Sequence, residues 1–180
     1  FEPSNKTVVI TLDEPTDIGS MMYYTGLWIG HYDLEFSNDG VNWQRQYPVD
    51  DNDFEMNQPH SDLFKWLYAT INPDNLPTKY IRLTASNTPI ELGEIALYTK
   101  FGSIIPAEEI TCEAAELFDE QNIVPEAPSY MNSMYFDEIY HGRTAYENLH
   151  MERIYETTHP PLGKLIISIG VSIFGMVPFG

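Results

Sequence analysis

Residues 32–43 read YDLEFSNDGVNW, and the first half of the chain is built outward from this stretch. Tyr32, Leu34 and Phe36 alternate with Asp33, Glu35 and Ser37. A period of two puts apolar side chains on one face and polar ones on the other, the pattern of a half-buried antiparallel strand. Ser37, Asn38, Asp39 and Gly40 are turn formers, so residues 41–46 are expected to return as the second strand of a hairpin.

Before the hairpin, residues 7–12 (TVVITL) are β-branched and apolar and close on Asp13, Glu14 and Pro15, which predicts a strand and a turn. Residues 21–28 (MMYYTGLW) predict a second strand, and 64–71, 80–84 and 90–98 predict three more. Residues 48–62, rich in Asp, Asn and Pro, are expected to form a long loop or excursion. Asp50, Asp51 and Asp53 there have two readings, a hard-oxygen set for Ca²⁺ or a solvated acidic loop. Short strands with turn-rich connections predict an antiparallel sandwich or jelly roll, so the fold class is expected to be mainly β. Trp28, Trp43 and Trp66 either fill its core or stack on a sugar ring.

The charge balance excludes one class of partner. Nine basic residues against twenty-seven acidic ones give a net charge of -18, which repels nucleic-acid phosphates. Twelve Tyr and nine Phe rule out a disordered acidic tail. The single cysteine, Cys112, forms no internal disulfide and has no companion thiols for a metal cluster. Phe1 begins almost directly on a strand pattern, so any leader or first transmembrane helix is expected to precede this sequence.

Beyond residue 100 the pattern changes. Gly102 and Pro106 interrupt the strands, and residues 107–121, with Ile110, Ala114, Leu117 and Phe118 near helical spacing, predict a short amphipathic helix. No Lys or Arg lies between Lys100 and Arg143, while acidic residues are frequent, the mark of a solvated connector. Pro125 and Pro128 then predict an extended hinge.

Residues 131–150 (MNSMYFDEIYHGRTAYENLH) carry Phe136, Ile139, Arg143, Tyr146 and Leu149 at three- and four-residue steps and predict a helix with a tyrosine-rich side. His141 lies four residues after Asp137 and three after Glu138, within reach of either. A surface helix with ordinary ion pairs is the alternative. Residues 159–164 (HPPLGK) follow, and residues 165–180 carry no charge. Gly170, Gly175 and Pro178 among large apolar residues favour a membrane helix over a buried core helix, and the run is shorter than the roughly twenty residues a span requires. The expectation is an outward-facing acidic segment ending as it enters a bilayer.

Two resemblances add to this reading. Residues 7–99, through TVVITLDEP, GHYDLEFSNDGVNWQ, KYIRLTAS and IELGEIALY, resemble the discoidin-like (F5/8 type C) family. That implies a jelly-roll sandwich, complete or lacking its first strand, of a kind that commonly binds sugars or lipid headgroups. Residues 129–180, through SYMNSMYFDEIYHGRTAYENLH and THPPLGKLIISIG, resemble the first extracytoplasmic loop and second transmembrane helix of the protein O-mannosyltransferase family. The implied order is a sandwich over 1–100, an acidic helical connector over 101–130, a catalytic-loop segment over 131–164 and the start of a transmembrane helix over 165–180.

The second resemblance also implies an activity: transfer of mannose or a related sugar from a polyprenyl-phosphate carrier to a protein hydroxyl, in a multi-pass bacterial cell-membrane protein. Asp137 takes the family's acid/base position. Glu138 positions Asp137 or the acceptor, His141 is the histidine after the acidic pair, and Arg143 neutralises Asp137 or touches phosphate. His159 or Lys164 faces the carrier phosphate. No metal is demanded and a divalent cation has no ligand set. The implied partners are the lipid-linked sugar donor, a protein or glycan acceptor, the bilayer and membrane helices outside this sequence, without which the segment alone is expected to be inactive. The reading from a different class is a non-enzymatic, membrane-anchored carbohydrate-binding or adhesion module.

Overall fold

In the computed structural model, which describes residues 6–26, 31–45, 55–57, 64–71, 77–85, 90, 92–129, 131–134 and 137–175, YDLEFSNDGVNW forms a hairpin. Strand β3 (His31–Ser37) pairs with the short β4 (Gln44–Arg45), Glu35 opposite Arg45 and Phe36 opposite Gln44. The turn is held by Asp39, whose carboxylate accepts the backbone N–H groups of Val41 at 2.9 Å and Asn42 at 2.8 Å. Those bonds hold its carboxyl well below the usual carboxylate range. Gly40 supplies the positive φ of 71° that the turn requires. Tyr32, Leu34 and Phe36 are all buried, as the alternation predicts.

The larger sheet has the order β4-β3-β7-β1-β9, with β5 (Glu55–Asn57) also pairing β3. Here β1 is Thr7–Thr16, β7 is Thr78–Ala85 and β9 is Ile110–Cys112. The smaller sheet has the order β6-β2-β8, with β6 Trp66–Thr70, β2 Ile18–Thr25 and β8 Leu92–Thr99. One core joins them: Val8, Ile10, Leu34, Ile81 and Leu83 of the larger sheet pack with Met21, Tyr23, Ile95 and Leu97 of the smaller. The opposite face of the smaller sheet is apolar too, with Met22, Trp66 and Ala96 clustered under Val124.

Two helices complete the chain, α1 (Asp137–Leu149) and α2 (Pro161–Phe174). Helix α1 lies against the smaller sheet: Ile139 packs on Phe64 beside Tyr24, and the segment before it donates Met134 N–H to Phe64 O at 3.0 Å.

Several expectations are corrected. The fold is mixed α and β with two open sheets, not a mainly β jelly roll followed by a membrane helix, because neither sheet closes and α1 and α2 build a packed pair of their own. No helix among the described residues is long and apolar enough to cross a membrane. The 14 residues of α2 span about 21 Å at ~1.5 Å per residue, short of the ~30 Å hydrocarbon core. Gly175, with φ 80°, caps it. The multi-pass membrane placement and the bilayer as partner lose their support with that helix.

The helix expected over 107–121 is replaced by 3-10 turns at Ala107–Glu109 and Ala115–Leu117 with β9 between them. Pairing Thr111 with Thr11 and Cys112 with Ile10 extends the larger sheet, which outweighs the local helical preference. Strand β1 runs through the expected turn at Asp13 and Pro15, absorbing it as a register irregularity between Thr11 and Thr16. Asp50, Asp51, Asp53 and Trp28 lie outside the described residues. Of the other tryptophans, Trp66 is buried and Trp43 lies against the Arg82 guanidinium, 4.2 Å from ring centre to Cζ.

At Gly19 the start of β2 lies against the backbone at the end of β8. A Cβ there would lie 2.7 Å from Lys100 Cα and 3.1 Å from Thr99 O, both backbone atoms that cannot swing aside. Gly19→Ala is expected to cost at least about 2 kcal/mol in urea unfolding. A loss within about 0.5 kcal/mol would show that the strands separate there freely.

Candidate functional site

Four of the six residues singled out from the sequence, Asp137, Glu138, His141 and Arg143, lie on α1, Lys164 lies in the first turn of α2, and His159 lies in the segment joining the helices. Asp137 and Glu138 occupy the exposed first turn of α1, where unpaired helix N–H groups favour negative charge. One turn on, the helix changes character. Arg143 is buried, and its Nε donates to Glu147 Oε1 at 2.9 Å, the two side chains being 7% and 1% exposed. The other Glu147 oxygen accepts Tyr155 N–H at 2.9 Å, and the Tyr155 ring lies 4.0 Å from the guanidinium carbon. A buried charge is tolerable only when paired and hydrogen-bonded in this way.

The joining segment turns at Met151, with φ 57°, and brings Glu156 to the start of α2. There Lys164, 4% exposed, donates to the Glu156 carboxylate and to Glu156 O at 2.7 Å. The same carboxylate contacts the Thr158 hydroxyl and lies 3.2 Å from His159 Nδ1. The Lys164 bond, reinforced by Thr158 and His159, holds the Glu156 carboxyl well below its ordinary range. The His159 ring meets the His141 ring edge-on at 5.3 Å between centroids. His141 Nδ1 is buried without a hydrogen-bond partner among the described residues. One turn further, Ser168 Oγ donates to Lys164 O at 2.9 Å and accepts Asn148 Nδ2–H at 3.3 Å.

The structure thus brings together His141, His159 and Lys164 around Glu156, sets Arg143 in a separate pair, and leaves Asp137 and Glu138 on the surface. The sequence reading missed Glu147 and Glu156. Arg143 and Glu147 have the i, i+4 spacing of a helical ion pair, a signal that was available. Glu156 and Lys164 are eight residues apart across a turn, and no periodicity announces such a contact. No three His, Cys, Asp or Glu side chains among the described residues are grouped to hold a metal ion.

These polar contacts lie between the helices, which inverts α2. Its buried residues are Lys164 and Ser168. Its outer face carries Leu162, Leu165, Ile166, Ile169, Ile173 and Phe174, each between 49% and 69% exposed.

No known family, curated protein or solved structure matches this chain. The discoidin-like and O-mannosyltransferase resemblances are therefore withdrawn, together with sugar transfer, the lipid-linked donor, the protein or glycan acceptor and the membrane-anchored sugar-binding alternative. The short motifs behind them are met here by side chains occupied with one another: Lys164 and His159 satisfy Glu156, and Arg143 satisfies Glu147.

Two outcomes follow from the seam. Glu147→Ala removes the buried carboxylate that the Arg143 guanidinium faces, so a loss of about 3–5 kcal/mol is expected by denaturant unfolding, whereas Arg143→Met with Glu147→Leu should lie near neutral. Equal losses in the two proteins would mean the site depends on charge for more than pairing. The stabilisation from Glu156 is fully present above the ordinary glutamate range and is lost as pH falls through its depressed folded-state value. Lys164→Met should therefore lower the melting temperature at neutral pH and flatten its fall in acid, so that variant and wild type converge toward low pH, and an acid limb that stays parallel to wild type would contradict the pairing.

Proposed function

We propose that this chain is a docking module: the β-rich body holds out α2, and the apolar face of α2 receives an apolar helical stripe, flanked by basic residues, on a partner protein. The observation that carries this reading is the inversion of α2. A helix whose only charged side chain is buried and whose large apolar residues face outward is the reverse of a finished surface helix. An exposed apolar stripe of this kind marks an interaction surface.

The basic flanks follow from charge. The chain carries a net -18, and residues 101–142 contain no Lys or Arg, so a second copy is disfavoured and a partner with a basic rim is favoured. Within this reading Arg143, His141, His159 and Lys164 serve as positioning residues that fix the hairpin's angle. Asp137 and Glu138 cap the start of α1 electrostatically.

Two synthetic amphipathic peptides with the same leucine stripe, one flanked by lysines and one by glutamates, test the proposal by fluorescence anisotropy. The lysine-flanked peptide should bind at least about tenfold tighter, more weakly at high salt, and Ile166→Glu with Ile169→Glu should abolish the binding while preserving the melting temperature. Equal binding of the two peptides, or dimerisation of the chain through the same residues by sedimentation, would overturn the choice of partner. No binding of either peptide would overturn the docking role.

A further inference from the structure

On the smaller sheet, well before the hairpin in the chain, lies a carboxyl group with no counter-charge among the described residues. Glu94, on β8, is 1% exposed. Its Oε2 accepts the backbone N–H of Glu120 at 3.2 Å, and its Oε1 has no hydrogen-bond partner among the described residues. The segment above it is the acidic connector. That segment is pinned by Gln121, whose side-chain oxygen accepts Ala107 N–H at 3.0 Å and whose amide donates to Ile105 O at 3.2 Å. Leu117 and Phe118 anchor it in the main core, and Val124 covers Met22, Trp66 and Ala96.

We infer that Glu94 is a proton-operated latch: its neutral carboxyl holds the connector turn around Glu120 on β8, and its ionisation loosens that turn. The Glu120 N–H favours a negative charge there, but burial outweighs that single hydrogen bond and the charged side chains nearby are acidic. The connector contributes Asp119 and Glu120, both acidic. The neighbouring strand β2 contributes Tyr24, whose hydroxyl burial keeps protonated. An ionised Glu94 would thus sit out of water, with one oxygen unpaired, beside two like charges, at a cost that separation of the connector relieves. In opening, the carboxyl proton passes to solvent and Glu120 N–H exchanges the carboxylate for water.

Burial, opposed by the hydrogen bond from Glu120 N–H and reinforced by the charges of Asp119 and Glu120, pushes the Glu94 carboxyl up to about 8. Because this lies above the unfolded value of about 4.3, the folded state holds the extra proton between the two. Stability therefore falls as pH rises through that window, and the loss is complete above the folded value. The latch is closed on the acid side and opens through neutral to mildly alkaline pH.

The test is a carboxyl-carbon NMR titration of the 180-residue chain together with amide exchange of Glu120 and Val124, normalised to amides of β7, at about pH 6.5 and about pH 9. Glu94 should titrate near pH 8, and relative protection of the two connector amides should fall at least about tenfold at the higher pH. Glu94→Gln, isosteric and unable to ionise, should keep the low-pH protection throughout. Titration of Glu94 with ordinary carboxylates, or the same fall in the glutamine variant, would overturn the latch; if that variant does not fold, the wild-type titration decides alone.

Discussion

Three strands cannot leave two apolar faces bare, and this constraint organises everything after residue 100. Strand β2 buries Met21 and Tyr23 toward the shared core and Met22 toward the other side, so the smaller sheet needs cover on both faces. The larger sheet covers one. The connector and α1 cover the other, through Val124, Ile139 and Tyr146. Helix α2 is then held by α1 through side chains that are polar, and its apolar residues are left pointing outward. The docking face is thus the last member of a chain of coverings, each leaving its own outer side to the next.

Polar seams of this kind hold geometry more than they add stability. Arg143 with Glu147 and Lys164 with Glu156 offset the cost of their own burial, and replacement by apolar residues of like shape is often neutral. What they restrict is the rotation of α2, because only one face of that helix can satisfy Glu156 and Asn148 together. Glu94 is the contrasting case, a buried carboxyl whose second oxygen has no partner among the described residues and whose charged neighbours are acidic.

Alternation made β3 legible from sequence, because one of its faces meets the core while the other carries Asp33 and Glu35. The continuous run MMYY marked β2 as a strand, and its lack of alternation was also the sign of burial on both faces, which predicts a covering layer. Helix α1 followed from its spacing. What could not be read was tertiary: β9 forms where helical spacing competes, because β1 offers a free edge. At the hairpin, the contacts of Lys164 with Glu156 and of His141 with His159 join residues eight or more positions apart, which no periodicity signals. The apolar run after Lys164 was visible, and the length of its helix was not.

The brevity of the outermost strands has a bearing on how such a molecule survives at high concentration. The larger sheet ends in β4, two residues long, and β9, three residues long. An added chain would find too few free backbone groups there to register against, so growth by strand addition is discouraged even though the sheet is open. At these two edges of the larger sheet a backbone ladder that accepts any extended peptide is disfavoured, whereas side chains on a helix recognise shape and charge.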